Sequence, residues 1–541
     1  MAMKARNRTP ISTTTSCLIL NHAHTNKLKL VPAISSIAPS HMSTNILNYN
    51  RILSIRGYAI KKSALTAVQE AHLKEELNVS PKLPERFAKA VKPFPIYMES
   101  TTRYYVPRAW GLTEYGPPEA NLLPEGLALP ETVKFKGTPH DYQAEILDKF
   151  DAAGRCGLLC VPCGKGKTFM ALAAAVRTGR RFMVIVDKEF FLNQWKGEME
   201  AFVEGLRVGI LQGKRAEIDP NRYDCLICML QTLALHDYPD GYFNGYGLAI
   251  FDECHKLGAP HFCKALQKVQ PRYLLGLSAT PVRDDGMTFV FESFLGKPFH
   301  WDKVREPDPT VIVRGVYFNT EDAEYKEVPV NWQGMPILAR LLSKVVEFEP
   351  RTRRILAILT ELCVEPARKI LVLSERKILL ENLEIMLGAL AKPPTVGYYV
   401  GGMKQEDLDA TARDSQVVLA TYAMANEGLN IKTLNAVILA SPRKKVEQST
   451  GRILRMRPEE RSIEPVIVDI IDPHETYKRQ WKVRLAYYKK CGYNIQEEGR
   501  PARAVVAEIP SNADGCMFVG LGLQEGEEDG EDDDEAEAEE D

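Results

Sequence analysis

Five short apolar runs, CGLLCV, RFMVIV, YDCLICM, GLAIFD and YLLGLS, follow one another up to Ser278, and five more, KILVLS, TVGYYVGG, QVVLAT, AVILAS and PVIVDII, occupy Lys369 to Ile471. Runs this short, β-branched or Leu-rich and separated by helical stretches of crossover length, are the pattern of strands buried on both faces of a parallel sheet. The middle segment between the two series implies two sheets rather than one. Right-handed crossovers gather the loops at the carboxyl ends of such strands on one edge, where ligands bind. The expected fold is therefore α/β, with two parallel-sheet domains in tandem.

The rest of the chain divides by composition. Residues 1–69 hold nine Lys or Arg and no acid, and Glu525–Asp541 hold thirteen acids and no base, so the net charge of −2 conceals a nearly neutral body. Overall charge thus gives no argument for nucleic acid, and any basic track must be local. We expect a basic leader at 1–69, a small Pro- and aromatic-rich accessory region at 70–130, and the first sheet at 131–303. A connecting segment at 304–344, the second sheet at 345–475, a basic aromatic helix at 476–500 and a disordered acidic tail at 501–541 follow. The leader has the composition of an organellar transit peptide, and Arg56-Gly57-Tyr58-Ala59 resembles a mitochondrial processing site. The expected location is the mitochondrial matrix, with nucleus, cytoplasm or chloroplast as alternatives. Apolar runs are too short for a membrane span. Eleven irregularly spaced cysteines do not form a disulfide framework, and neither Cys160/Cys163 nor Cys225/Cys228 is expected to bind metal.

Two motifs carry chemistry. VPCGKGKT follows the strand CGLLC and opens the helix TFMALAAAVRTG. In that setting Gly164, Gly166 and the helix N-terminus ring a phosphate, Lys167 reaches the outer phosphate oxygens, and the Thr168 hydroxyl binds Mg²⁺. AIFDECH then places Asp252 and Glu253 after a strand, which suits a Mg²⁺ ligand followed by a base that activates water. The pair predicts metal-assisted phosphoryl transfer from a bound nucleotide.

DECH together with GLSATPVRDDG and EQSTGRILR resembles motifs II, III and VI of superfamily 2 helicases of the DExH kind, over roughly His140 to Asp472. Finer detail in CLICMLQTLALHDYP and QWKVRLAYYKKCGY is similar to helicases of large DNA viruses and of the xeroderma pigmentosum group B type. The resemblance implies two RecA-like domains. It further implies adenine recognition by Tyr142 and Gln143, coupling of nucleotide state to domain closure by Ser278 and Thr280 with His255, and γ-phosphate contacts by Arg452 and Arg455. Those arginines, three apart, share one helix face, and guanidinium suits phosphate.

The resemblance also assigns nucleic-acid or cleft contacts to Gln194, Trp195, Thr232, Ser374, Gly401, Gly402, Thr421 and Gly428. Hydroxyls and free backbone N–H groups at loop tips suit phosphate oxygens without reading sequence. Asn430 stands where many family members have Asp. Trp481, Tyr487 and Tyr488, at helical spacing, are expected to pack against the second sheet. The predicted function is an ATP-dependent helicase or translocase acting on nucleic acid, with DNA favoured and RNA possible. The alternatives are an ATP-driven remodeller that displaces proteins, and an ATP-driven switch with no nucleic-acid partner.

Overall fold

The computed structural model describes residues 48–82, 92–162, 164–302, 307–429, 431–454, 456 and 461–500. The expected disordered ends, before residue 48 and beyond residue 500, lie outside the described residues. Strands Phe182–Val186, Cys225–Met229 and Leu248–Phe251 are buried along their whole length, which is why their sequences carry no polar alternation. They form the middle of an eight-stranded sheet ordered Arg215–Ala216, Val208–Gln212, Cys225–Met229, Phe182–Val186, Leu248–Phe251, Tyr273–Ser278, Cys156–Cys160, Pro298–Trp301. Every pairing is parallel except that of the first two strands.

The second sheet has seven strands, all parallel, ordered Val396–Tyr399, Val417–Thr421, Ile370–Ser374, Ala436–Leu439, Val466–Ile471, Ile312–Tyr317, Asn494–Glu498. Two expected boundaries change here. The segment 304–344 is more than a connector, because Ile312–Tyr317 is an interior strand of this sheet. The region 476–500 is more than a helix, because the helix Glu475–Lys490 is followed by the edge strand Asn494–Glu498. As expected, Trp481 and Tyr488 are buried in the core of this domain. A Cβ at Gly315 would come within 2.9 Å of the Trp481 ring, so the glycine lets the indole lie on the strand.

The accessory region begins earlier than residue 70. The hairpin Arg51–Ser54/Gly57–Lys61 joins Arg103–Val106, Met98–Glu99 and Ala120–Asn121 in a five-stranded mixed sheet. Residues 51–61, expected in the leader, therefore belong to the accessory sheet. Gly57, at φ 103°, turns the hairpin where a Cβ would lie 2.5 Å from the Val106 carbonyl oxygen, and Tyr58 is wholly buried. Cleavage between Tyr58 and Ala59, three residues past Arg56, would remove the strand Arg51–Ser54 and the start of Gly57–Lys61. Tyr58, Trp110 and Leu123 share one core with Phe291 and Phe294 of the first domain, and buried Arg108 donates to the Pro271 and Arg272 carbonyls at 3.0 Å each. Among the described residues, no helix is long and apolar enough to cross a membrane.

Candidate active site

The strand Cys156–Cys160 runs into the phosphate loop, and the helix Lys167–Thr178 starts from Gly166 in the left-handed region at φ 81°. A Cβ there would sit 2.8 Å from the Gln143 amide nitrogen, so backbone conformation and close approach both demand glycine. Gln143 is buried. Its Nε2 donates to the Lys165 carbonyl at 3.3 Å and its Oε1 accepts from the His140 N–H at 3.0 Å. The amide thus shapes the loop from beneath. Tyr142, 38% exposed, donates its hydroxyl to the same carbonyl at 3.2 Å, and its ring stacks with His140 at 5.9 Å between centroids and lies 5.3 Å from Lys165 Nζ. Lys167 Nζ lies 3.2 Å from the Val161 carbonyl oxygen, folded across the loop.

The buried strand Leu248–Phe251 delivers Asp252 and Glu253 to the same edge. Asp252 Oδ2 accepts from the Trp195 indole N–H at 2.8 Å, and Oδ1 accepts from the Glu253 N–H at 3.0 Å. Burial pushes the Asp252 carboxyl up to about 6, the neighbouring Glu253 carboxylate adds to this, and Trp195 and Lys167 oppose it. A buried carboxylate beside another is stabilised by a cation, and Asp252 with the Thr168 hydroxyl offers the oxygen donors that Mg²⁺ takes. Glu253 has φ 44°, in the left-handed region that a residue with a Cβ rarely adopts, and its Oε2 is shielded from solvent with no hydrogen-bond donor. Strain and an unsatisfied oxygen at one residue mark a site kept for chemistry rather than for stability.

Glu253 leads toward the second domain. His255 Nδ1 lies 3.3 Å from Glu253 Oε2 and 3.0 Å from Ser278 Oγ. Burial lowers the His255 pKa, so the imidazole is neutral at pH 7. Ser278 Oγ accepts from the Thr280 N–H at 3.2 Å, and Thr280 Oγ1 accepts from Gln448 Nε2, across the domain boundary, at 3.5 Å. A second crossing contact is the ion pair Lys445–Asp284 at 2.6 Å. Glu253, His255 and Lys256 face Glu375, Arg443 and Gln448 around a cavity of about 280 Å³. A larger cavity of about 680 Å³ is bounded by Pro162 of the phosphate loop, Thr280 and Trp301 on one side and by Gly451 and Tyr487 on the other. Gly451 begins the short turn Gly451–Ile453, so the backbone of Arg452 starts at this cleft. The Arg452 side chain and all of Arg455 lie outside the described residues.

The expected nucleic-acid residues divide. Trp195 is 1% exposed and committed to Asp252, so it positions that carboxylate instead of facing a strand.

 
Thr232 is also buried, its hydroxyl accepting from the Gly213 N–H at 2.9 Å. Ser374 is wholly buried and caps its own turn, donating to the Arg376 carbonyl at 2.8 Å. These three hold loops in shape, and burial removes them from direct contact. Gly401 and Gly402 are exposed in a turn, and Thr421 is half-buried at the start of the helix Tyr422–Gly428. Gln194 faces Tyr399 and Gln405 of the second domain across a cavity of about 300 Å³. The Gly428 side of that helix is described in backbone only, and Asn430 lies outside the described residues. Cys225 and Cys228 are buried within a strand, and Cys163 lies outside the described residues.

Sequence reasoning missed Arg443, which stacks its guanidinium 4.7 Å from the Tyr422 ring centre and pairs with Glu375 at 3.2 Å. Nothing in the sequence marks it beyond its place after a strand end. The role of Trp195 had a signal: Phe191, Trp195 and Met199, at four-residue spacing, form the buried face of the helix Glu189–Phe202. Trp195→Phe keeps the packing and removes the donor to Asp252. We expect the Mg²⁺ concentration for half-maximal ATP hydrolysis to rise roughly tenfold, as read from a metal titration.

Comparison with known proteins agrees with this geometry. Residues 136–283 match the family described as "Type III restriction enzyme, res subunit", and residues 353–457 match "Helicase conserved C-terminal domain". The chain is similar to "Putative ATP-dependent RNA helicase L396" of Acanthamoeba polyphaga mimivirus, at 31% identity over 82% of this chain and 85% of that protein. It is also similar to "Putative ATP-dependent RNA helicase QP509L" of African swine fever virus (isolate Tick/Malawi/Lil 20-1/1983), at 30% identity over 66% of this chain and 73% of that protein.

Proposed function

The chain belongs to the superfamily 2 helicases of the DExH type, related to those of large DNA viruses, and hydrolyses ATP; from that premise we propose that it is a Mg-ATP-driven motor that moves along DNA. Thr168 and Asp252 would hold the metal, which would supply neutralisation of charge on the phosphates, and Lys167 takes the outer phosphates. Glu253 accepts the proton of the attacking water, and Arg452 and Arg455 reach the γ-phosphate from the second domain. The observation that carries this reading is the continuous path from Glu253 through His255, Ser278 and Thr280 to Gln448, which ties the hydrolytic carboxylate to the partner domain. Loss of the γ-phosphate then loosens the cleft and advances the strand bound at Gln194, Gly401, Gly402 and Thr421.

DNA is favoured by the likeness to the group B type. RNA is the second reading, favoured by the names that the two viral relatives carry. ATPase rate against single- and double-stranded DNA and RNA separates them. Stimulation by DNA above RNA supports the first reading, and the reverse order supports the second. Silence to every form would favour a switch without a nucleic-acid partner. Displacement of bound protein without strand separation, in assays run side by side, would identify a remodeller. The basic leader we assign to mitochondrial import, and a reporter carrying residues 1–50 that stays outside the matrix would remove that assignment.

A further inference from the structure

From Val328 to Ala339 the chain has no charged side chain. Within this stretch Trp332 is 89% exposed, and Val330, Met335 and Leu338 are each about half exposed. The segment is nonetheless tightly bonded. Val330 pairs with Pro336, and the Asn331 N–H donates to the Met335 carbonyl at 2.9 Å. Asn331 Oδ1 accepts from the Gln333 and Met335 N–H groups at 3.0 and 2.9 Å, and Gly334 supplies the left-handed φ of 76° that the turn needs. The Ile337 N–H donates to the Pro329 carbonyl at 2.8 Å, closing the base of the loop. Directly after it, the helix Leu338–Glu347 buries Leu341 and Val345 in the core of the second domain. A short, stiff projection thus holds a bare indole away from the body of the protein.

Size and charge restrict what covers it. A Trp side chain offers at most about 250 Å² and the whole patch a few hundred Å². A stable protein interface needs about 800 Å² from each partner, so a second copy of this chain or another globular partner is poorly matched. With no cation in the stretch, phosphate is not what it grips. One planar ring on a stiff stalk matches one unstacked base, and such stacking is worth about 1–3 kcal/mol. Resting on the motor reading above, we propose that the Trp332 projection is a wedge that stacks on an unpaired base where a duplex opens, converting movement along a strand into strand separation.

The test uses the full chain with Trp332→Ala and Trp332→Phe, both checked for folding by thermal melting. Strand displacement from a forked duplex is measured per ATP hydrolysed, beside tryptophan fluorescence on fork binding. Trp110, Trp195 and Trp481 are buried and Trp301, 37% exposed, is kept in both proteins, so quenching that the Phe variant abolishes reports Trp332. The expected result is displacement per ATP at least tenfold lower in the Ala variant, retention of more than half in the Phe variant, and fork-dependent quenching in the wild type. Unchanged displacement per ATP in the Ala variant overturns the wedge, as does a wild type that is stimulated by nucleic acid but never separates strands. Self-association that the Ala variant abolishes would assign the tip to a second copy and also overturn it. A wild type whose ATPase ignores nucleic acid overturns the motor reading itself, a separate outcome.

Discussion

Glu253→Gln lowers the turnover of ATP by about 10²- to 10⁴-fold while the protein still binds the nucleotide, because general-base catalysis contributes a factor of that size. The substitution keeps the shape of the side chain and removes its basicity. The residue's position makes the loss hard to compensate: its backbone is held at φ 44°, its Oε2 is dry, and its nearest basic partner, His255 at 3.3 Å, is neutral at pH 7. Asp252 cannot replace it, because both of its oxygens are engaged, by Trp195 and by the Glu253 N–H. Binding persists because the loop Gly164–Thr168 follows a different strand, Cys156–Cys160, and is shaped by Gln143 and Tyr142 of the helix Asp141–Ala152. Phosphate release with a parallel titration of a fluorescent ATP analogue checks both halves. Turnover within threefold of the wild type would remove Glu253 from the role of base.

All ten expected runs formed strands, and all but the edge strand Val396–Tyr399 are buried along most of their length, as a run such as Phe182–Val186 requires. Ile312–Tyr317 escaped notice because Arg314 and Gly315 interrupt its apolar run. Arg314 is answered by Glu498 at 2.7 Å and Glu361 at 2.9 Å, and Gly315 by the Trp481 ring, and all three partners are distant in sequence. Asn494–Glu498 is polar because it lies at the sheet edge. The hairpin from Arg51 was concealed by its basic composition. At the site, the phosphate loop and the Asp252–Glu253 pair were legible because their chemistry demands particular residues at fixed spacing. The hydroxyls of Thr232 and Ser374 were misread because a side chain that caps a turn and one that contacts phosphate have the same sequence signature, and burial alone separates them. Arg443 was invisible because its neighbours Glu375 and Tyr422 come from other strand ends.

The second large effect concerns stability. Arg351, on the helix Glu349–Cys363, and Asp472, just past the strand Val466–Ile471, are both wholly buried. The guanidinium donates to Asp472 Oδ1 at 2.6 Å, to Oδ2 at 3.0 Å and to the Ala440 carbonyl at 2.7 Å, while the Tyr325 hydroxyl donates to Oδ1 at 2.7 Å. Burial alone would depress the Arg351 pKa, but Asp472 and Tyr325 outweigh it and hold the group above its ordinary value. Removing one partner leaves the other charge dry and alone. Arg351→Ala is therefore expected to destabilise the second domain by about 3–5 kcal/mol, measured by denaturant unfolding. Arg351→Lys should recover only part of this, since an ammonium cannot span both carboxylate oxygens and the carbonyl together. The paired replacement Arg351→Met with Asp472→Leu should recover more, but not all, because the Ala440 carbonyl and the Tyr325 hydroxyl then lack partners. A loss below about 1 kcal/mol in the Ala variant, the range of exposed pairs, would contradict the burial on which this rests. The consequence reaches the cleft as well: Ala440 directly follows the strand Ala436–Leu439 on the way to Arg443 and Gln448, so the same substitution loosens the segment that meets Thr280, and hydrolysis should weaken at temperatures where the domain still holds its fold.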